Sequence, residues 1–263
     1  MPFILKQTSY HYLDPLVAPA LAAHDLAQFE ALWNREIAWF EEPNQRRGGW
    51  SGVGRLVLQA ESAEPLVLFV KKQQNHGRLT WRHPWRGEPT FRREFNRLRQ
   101  LAATGIHAPR VVAYAEAIQS GQQCAVLVTE NLHDFVDLET LLPSLQQWPR
   151  TEKTGTLRQL AQQVRRFHDL GLVHRALYPK HLFVRGKAEQ AEIALIDLEK
   201  ARSSLCASSR MLFDLSALQR HTPLLTRSQR LLFFKHYLGL NSTGKLSWFE
   251  RWCLTRIMRR SRR

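Results

Sequence analysis

The chain has 263 residues, 44% of them hydrophobic, enough to bury a core for one large domain or two lobes. Lys and Arg number 38 against 23 Asp and Glu, a formal charge of +15 with an isoelectric point near 10.4, so polyanions are the expected partners: nucleic acid, an anionic membrane surface or a phosphorylated glycolipid. Three cysteines without CxxC or Cys/His spacing exclude a zinc motif and read as reduced thiols, and no run is long and apolar enough to span a bilayer. Met1 to Pro19 is interrupted by Tyr10, His11, Tyr12 and Asp14, so it lacks the apolar core of a signal peptide and a cytoplasmic protein is expected.

In chain order, the segment from Arg47 to Arg55 is rich in glycine (Gly48, Gly49, Gly52, Gly54) and reads as a loop; two short strands, Leu56 to Leu58 and Leu66 to Val70, then form a hairpin. A helix is predicted over Thr90 to Thr104, with Phe91, Phe95, Leu98 and Leu101 on one face and Gly105 as its stop. Strands follow at Arg110 to Tyr114 and Cys124 to Thr129. A second helix is marked by Leu157, Leu160, Ala161, Val164 and Phe167 and ends at Gly171. Two more strands, Leu182 to Val184 and Ile193 to Ile196, flank Gly186, and the chain from Met211 onward reads as helical. This order is that of an α+β protein of two lobes, a strand-rich one at 1–131 with one helix and a mainly helical one at 132–263, with the crossover near Glu130 and Leu132.

Four features carry chemistry. Glycines bring backbone amides close to phosphate, so Gly49, Gly52 and Gly54 with the hydroxyl of Ser51 are candidates for a phosphate cradle, as they are for an ordinary hairpin turn. Lys71 ends the second strand, where an ammonium can meet phosphate or simply sit at an edge. Glu94 lies on the apolar stripe of its helix, three residues after Phe91 and four before Leu98; a buried carboxylate needs a cation, and Lys71 is the expected partner. His174 to Phe183 has the frame of a kinase catalytic loop, and Asp197 follows a short strand where kinases place a magnesium-binding aspartate, although an exposed acid after a strand would read the same.

Together these segments resemble the lipopolysaccharide core kinases, a family that includes the InaA-type proteins and the heptose and Kdo kinases. The resemblance runs from about Trp33 to about Leu240. It rests on Glu41-Glu42-Pro43-Asn44 with Arg46-Arg47, Ser51-Gly52-Val53, Phe69-Val70-Lys71-Lys72 and Gly87-Glu88-Pro89-Thr90 before Arg93-Glu94. Leu127-Val128-Thr129-Glu130, Tyr178 with His181, and Ile196-Asp197-Leu198-Glu199-Lys200-Ala201-Arg202 complete it. It implies a reduced, bilobal protein-kinase-like fold, ATP with magnesium as phosphate donor, and a hydroxyl of inner-core heptose or Kdo as acceptor. Lys71 is then the nucleotide lysine and Glu94 its partner. Asp197 becomes the metal aspartate, His181 stands where protein kinases use asparagine to hold metal, and the crossover backbone at Glu130 and Leu132 meets adenine. Asp214 resembles the buried acid that braces the catalytic loop, and reads equally as a helix N-cap.

One position departs. The third residue of the loop, aspartate in active relatives, is Ala176, which can take no proton. Glu199, if its segment is extended and shares a face with Asp197, and His174, if it points inward, are substitute catalytic residues. A working sugar kinase and a pseudokinase that binds nucleotide or a partner therefore both stay open. Basic residues cluster twice: Lys72, Arg78, Arg82, Arg86, Arg92 and Arg93 around Trp81 and Trp85 suit an anionic sugar. Arg251, Arg256, Arg259, Arg260, Arg262 and Arg263 follow Trp248, Phe249 and Trp252, where Phe249, Cys253 and Ile257 align as in a helix lying on an anionic membrane, or in a packed terminal helix. Nucleic acid is disfavoured as partner, because no helix-turn-helix, RNP or zinc pattern accompanies the charge.

Overall fold

The computed structural model describes residues 11–40, 42–46, 48–59, 64–80 and 83–260, and for residues 46, 78–80, 83–86 and 260 the backbone alone. Arg47, Trp81, Arg82, Arg262 and Arg263 and the side chains of Arg78, Trp85, Arg86 and Arg260 thus lie outside the described part. The chain divides into two compact units, residues 1–100 with 109–132 and residues 101–108 with 133–263.

The first unit contains β1 (Tyr12–Leu13), α1 (Ala18–Ala23), α2 (Phe29–Asn34), β2 (Ala38–Trp39), β3 (Asn44–Arg46), β4 (Gly49–Leu58), β5 (Leu66–Gln74), β6 (Gly77–Thr80), β7 (His83–Pro89), most of α3 (Thr90–Ala103), β8 (Val111–Gln119) and β9 (Gln122–Glu130). Its main sheet is antiparallel in the order β1-β8-β9-β5-β4-β2, with β3 also paired to β4. Cys124 to Val128 in β9 are all buried, as expected of a continuous apolar run in a central strand. Leu21 of α1 and Phe29 and Leu32 of α2 pack into one core with Leu56, Leu58, Leu68, Val70, Val112, Val126 and Val128; the sequence pattern shows neither short helix.

Two expectations are corrected here. The strands of the hairpin are 10 and 9 residues long, so Lys71 sits inside β5, opposite Val53 of β4 and Leu127 of β9, rather than at a strand end. The glycine-rich segment is not a loop: Gly49 to Gly54 belong to β4, and the turn is at Gly48, where φ is +75°. Side chains alternate along a strand, which puts Gly52 and Gly54 opposite Lys72 and Val70 on the core face and Ser51 and Val53 on the Lys71 face. A Cβ at Gly52 would lie 2.8 Å from the Trp39 ring and one at Gly54 2.7 Å from the Ala38 carbonyl oxygen, so close strand packing explains both glycines.

The second unit begins with the last residues of α3 and continues with β10 (Val136–Asp137), α4 (Leu138–Leu145), α5 (Arg150–Asp169), β11 (Leu172–Val173), β12 (Leu182–Arg185), β13 (Glu192–Leu195), β14 (Arg202–Ser203), α6 (Ala207–Arg220), α7 (Arg227–Tyr237) and α8 (Trp248–Arg260). The Asp137 carboxylate caps α4 through the Thr140 amide at 2.9 Å, and Thr226 with Gln229 forms a capping box on α7. Strands β10, β12 and β13 make a small antiparallel sheet, and β11 pairs with β14. The connection from β11 to β12, residues 174–181, and the residues after β13 carry the candidate chemistry. The elements make an α+β protein, as expected.

Candidate active site

In the first unit Lys71 Nζ donates to both carboxylate oxygens of Glu94, at 2.7 and 2.9 Å. The Glu94 side chain is 3% exposed and that of Lys71 21%, so the carboxylate is enclosed and the lysine side chain only partly so. Lys72, one residue on, points to the opposite face, where it is 3% exposed and donates to the carbonyls of Trp33 and Arg35 at 2.8 and 2.6 Å. Burial lowers its pKa to about 8. Lys72 therefore does not belong to a surface basic cluster. Arg92 stays partly exposed, with its guanidinium paired to Glu116. At the crossover the Glu130 amide donates to Arg110 O at 2.9 Å and its carboxylate accepts from Arg110 Nε at 2.8 Å, and Leu132 lies in the irregular segment after β9.

In the second unit Asp214 lies eight residues into α6 and is fully buried, which rules out a helix cap. Its Oδ2 accepts from the His174 amide at 2.6 Å and from His168 Nε2 at 3.0 Å, and its Oδ1 accepts from the Arg175 amide at 2.9 Å. His168 Nδ1 in turn accepts from the Tyr237 hydroxyl at 2.7 Å, a phenol whose pKa burial raises. The chain Tyr237–His168–Asp214 thus joins α7, α5 and α6 to the backbone of the loop. It holds Arg175 at φ +67°, a conformation that needs such outside support. Sequence reasoning missed His168 and Tyr237.

Within the loop His181 Nδ1 donates to Ala176 O at 2.7 Å, which turns Nε2 toward Asp197 Oδ2, 3.4 Å away. Asp197 has φ +58° and begins a single 3-10 turn, Leu198–Lys200. That turn corrects the expectation for Glu199: two residues after Asp197 on a tight turn, it does not share the face it would occupy on an extended strand. His174 is corrected as well. It is completely enclosed, its Nε2 donates to Ile196 O at 3.0 Å, its Nδ1 has no partner, and burial holds its pKa below the usual histidine range against the pull of Asp214. An enclosed neutral ring cannot reach an acceptor hydroxyl. Ala176 itself is 1% exposed.

Among the described residues no group of three or more His, Cys, Asp or Glu is placed to hold a metal. A nucleotide-bound magnesium asks less: one or two carboxylates, with phosphate and water filling the rest, and Asp197 fits that demand. The His181 imidazole is a softer donor that suits a transition metal better than magnesium. On α8, Cys253 and Ile257 of the aligned stripe are buried and the helix packs on α6, as in a packed terminal helix, while Phe249 at the start of the stripe is exposed. Trp248, Phe249 and Trp252 remain exposed, the last two stacked and Arg256 lying over Trp252.

Protein InaA of Escherichia coli (strain K12) is 29% identical over 197 residues, 74% of this chain and 88% of that protein. The 3-deoxy-D-manno-octulosonic acid kinase of Mannheimia succiniciproducens is 30% identical over 109 residues, 41% of this chain and 43% of that enzyme. The solved structure of WaaP in complex with acyl carrier protein superposes with a TM-score of 0.69 over 95% of this chain and 97% of the other, at 22% identity, a likeness of fold. The sequence model of the lipopolysaccharide kinase (Kdo/WaaP) family matches residues 30–237, and the chain belongs to that family.

Proposed function

We propose that the chain is an ATP-dependent phosphotransferase that phosphorylates a sugar hydroxyl, of heptose or Kdo, in the lipopolysaccharide inner core. The observation that carries this reading is the Lys71–Glu94 pair: an enclosed carboxylate holds the ammonium of a strand lysine in one orientation, which is how a kinase aims a lysine at phosphate. In this reading Lys71 donates to the nucleotide phosphates, Ser51 on the same strand face adds a hydroxyl, and Leu132 offers backbone to the base. Gly49, Gly52 and Gly54 keep β4 tightly packed rather than forming a free cradle. Asp197 holds the divalent ion, with His181 beside it. When bound, magnesium neutralises charge on the transferring phosphate. Asp214 fixes the loop that carries His181, and the acceptor hydroxyl finds no carboxylate at position 176.

A second reading, a pseudokinase that binds nucleotide without transfer, is favoured by that position, since His174 is enclosed and Glu199 lies on the following turn. For localisation, no helix among the described residues is long and apolar enough to cross a membrane. Exposed Trp248 and Trp252 next to Arg251, Arg256 and Arg259 support peripheral contact with the cytoplasmic face of an anionic membrane; the WaaP structure carries an acyl carrier protein, and an acidic protein is the competing occupant of the same charge. The test is calorimetry of Mg-ATP binding, paired with phosphate transfer to deacylated lipopolysaccharide core, in the native protein and Asp197→Asn. Binding and transfer that both depend on Asp197 support the kinase, metal-dependent binding without transfer supports the pseudokinase, and absence of binding removes both.

A further inference from the structure

Two residues of β5 reach α3 from the same strand face. Side chains alternate along a strand, so Gln73 points the way Lys71 does, and the residue is buried, 1% exposed. Its side-chain amide has three partners. Nε2 donates to His76 O at 2.7 Å, and Oε1 accepts from the Thr90 hydroxyl at 3.0 Å and from the Phe91 amide at 3.1 Å. His76 is the last residue before β6 and Thr90 the first of α3, so one side chain closes the base of the β6–β7 hairpin that separates the lysine strand from the glutamate helix. The first amides of a helix have no acceptor inside it. Here the first two are met from the strand side, that of Thr90 by His76 O at 3.4 Å and that of Phe91 by Gln73.

The second grip of β5 on α3 is the Lys71–Glu94 pair. The two contacts match in spacing: from Thr90 to Glu94 the helix rises about 6 Å, and from Gln73 back to Lys71 the strand spans roughly 7 Å. Helix and strand therefore run in opposite directions here and meet twice at nearly the same interval. A helix tied at one point can still turn about it, whereas one tied at two points cannot. Phe91 shares in both contacts, with its amide on Gln73 and its ring 6.0 Å from Lys71 Nζ. We propose that Gln73 is a positioning residue for Lys71: by holding the first turn of α3 against β5 it sets where Glu94 presents its carboxylate, and so fixes the direction of the ammonium with no contact of its own to a nucleotide. That the ammonium then meets phosphate rests on the function proposed above, whereas the hold of Gln73 on the pair is independent of it.

The experiment is a double-mutant cycle run in two backgrounds. Lys71→Met, Glu94→Gln and Lys71→Met/Glu94→Gln are unfolded with denaturant, first in the native chain and then together with Gln73→Met, which keeps the length of the side chain and removes all three hydrogen bonds. In the native background the pair should be coupled by about 10²-fold in the unfolding equilibrium constant, and Gln73→Met should cut this to below about tenfold. A glutamine that only caps a helix would lower the stability of every member of the cycle equally and leave the coupling unchanged. Mg-ATP affinity is the second readout. Gln73→Met should weaken it about tenfold in the native background and not at all beside Lys71→Met, because one residue acts through the other. Because Gln73 is buried and its replacement could unfold the chain, Thr90→Val supplies a milder arm: it removes one of the three bonds and should lower the coupling by about threefold. An undiminished coupling in Gln73→Met, or in Thr90→Val should the former not fold, would overturn the proposal, as would a loss of Mg-ATP affinity that adds to that of Lys71→Met. A native chain that binds no Mg-ATP would remove the proposed function and leave the coupling to decide the role of Gln73.

Discussion

Each unit buries one carboxylate on a helix, and the two are used differently. Glu94 on α3 is answered by a lysine whose side chain is partly exposed, whereas Asp214 on α6 is answered by two backbone amides and a buried histidine. In the proposed function the first arrangement aims a charge at phosphate; the second fixes the shape of a loop. Both are positioning devices, and neither moves a proton. Ala176 stands where the group that would do so is expected, so in the proposed function the parts that orient and neutralise are kept and the part that accepts the hydroxyl proton is not. Ala176→Asp is the change that breaks this contrast. If the positioning parts are intact, restoring the carboxylate should raise kcat for transfer to lipopolysaccharide core by about 10²–10⁴, or roughly 3–5 kcal/mol in the barrier. An unchanged rate in a folded variant would mean that the loop positions nothing that reacts.

Asp214→Ala tests the enclosed carboxylate. It strips acceptors from the His174 and Arg175 amides and from His168 Nε2, each at a cost of about 1–3 kcal/mol for a buried donor, so a loss on the order of 4 kcal/mol in unfolding free energy is expected by denaturant titration. Asp214→Asn, which keeps one acceptor oxygen, should lose less. The exposed side of the contrast needs two variants. Lys71→Met deprives Glu94 of this ammonium and should weaken both folding, by about 3 kcal/mol, and Mg-ATP binding, by about 10²-fold. Lys71→Met/Glu94→Gln should recover most of the stability and none of the binding. Recovery of both would make the pair a structural ion pair and nothing more.

The same contrast explains what could be read from the sequence. Glu94 was legible because a charged residue on an apolar helical stripe must find a partner, and the frame of residues 174–183 marked the loop. His168 stands on the stripe of α5 four residues after Val164, and the argument that picked Glu94 would have picked it too; its partner Tyr237 is 69 residues away and carries no local signal. The glycines of β4 misled because a glycine demanded by a facing strand and one demanded by a phosphate look alike, and only the register assigns Gly52 and Gly54 to the face away from Lys71. Helices α1 and α2, six residues each, are too short for a helical period to show. The reach of Glu199 depended on backbone shape, and the left-handed Asp197 followed by a 3-10 turn has no signature in residue type.

The adjacent lysines of β5 allow a final test of opposite faces by pH alone. Lys72 has a pKa of about 8 in the folded protein against 10.5 when solvated, because its ammonium is enclosed, while Lys71 shares the field of Glu94. Between those two values the unfolded chain binds more protons at Lys72 than the folded one, so stability rises with pH through this window. The full shift corresponds to about 3 kcal/mol at most. Cys124 and Cys253, and above them Tyr114 and Tyr237, have pKa values raised by burial and act in the opposite sense from about pH 9 upward, so total stability does not isolate Lys72. The difference between the native protein and Lys72→Met does. Measured by denaturant unfolding at pH 7, 8, 9 and 10, that difference should grow in favour of the native protein as the lysine loses its proton, and the neutral amine can still donate to the carbonyls of Trp33 and Arg35. A difference that is flat across the window would mean that the two carbonyls solvate the ammonium as well as water does, and that the β5 lysines differ in direction but not in charge.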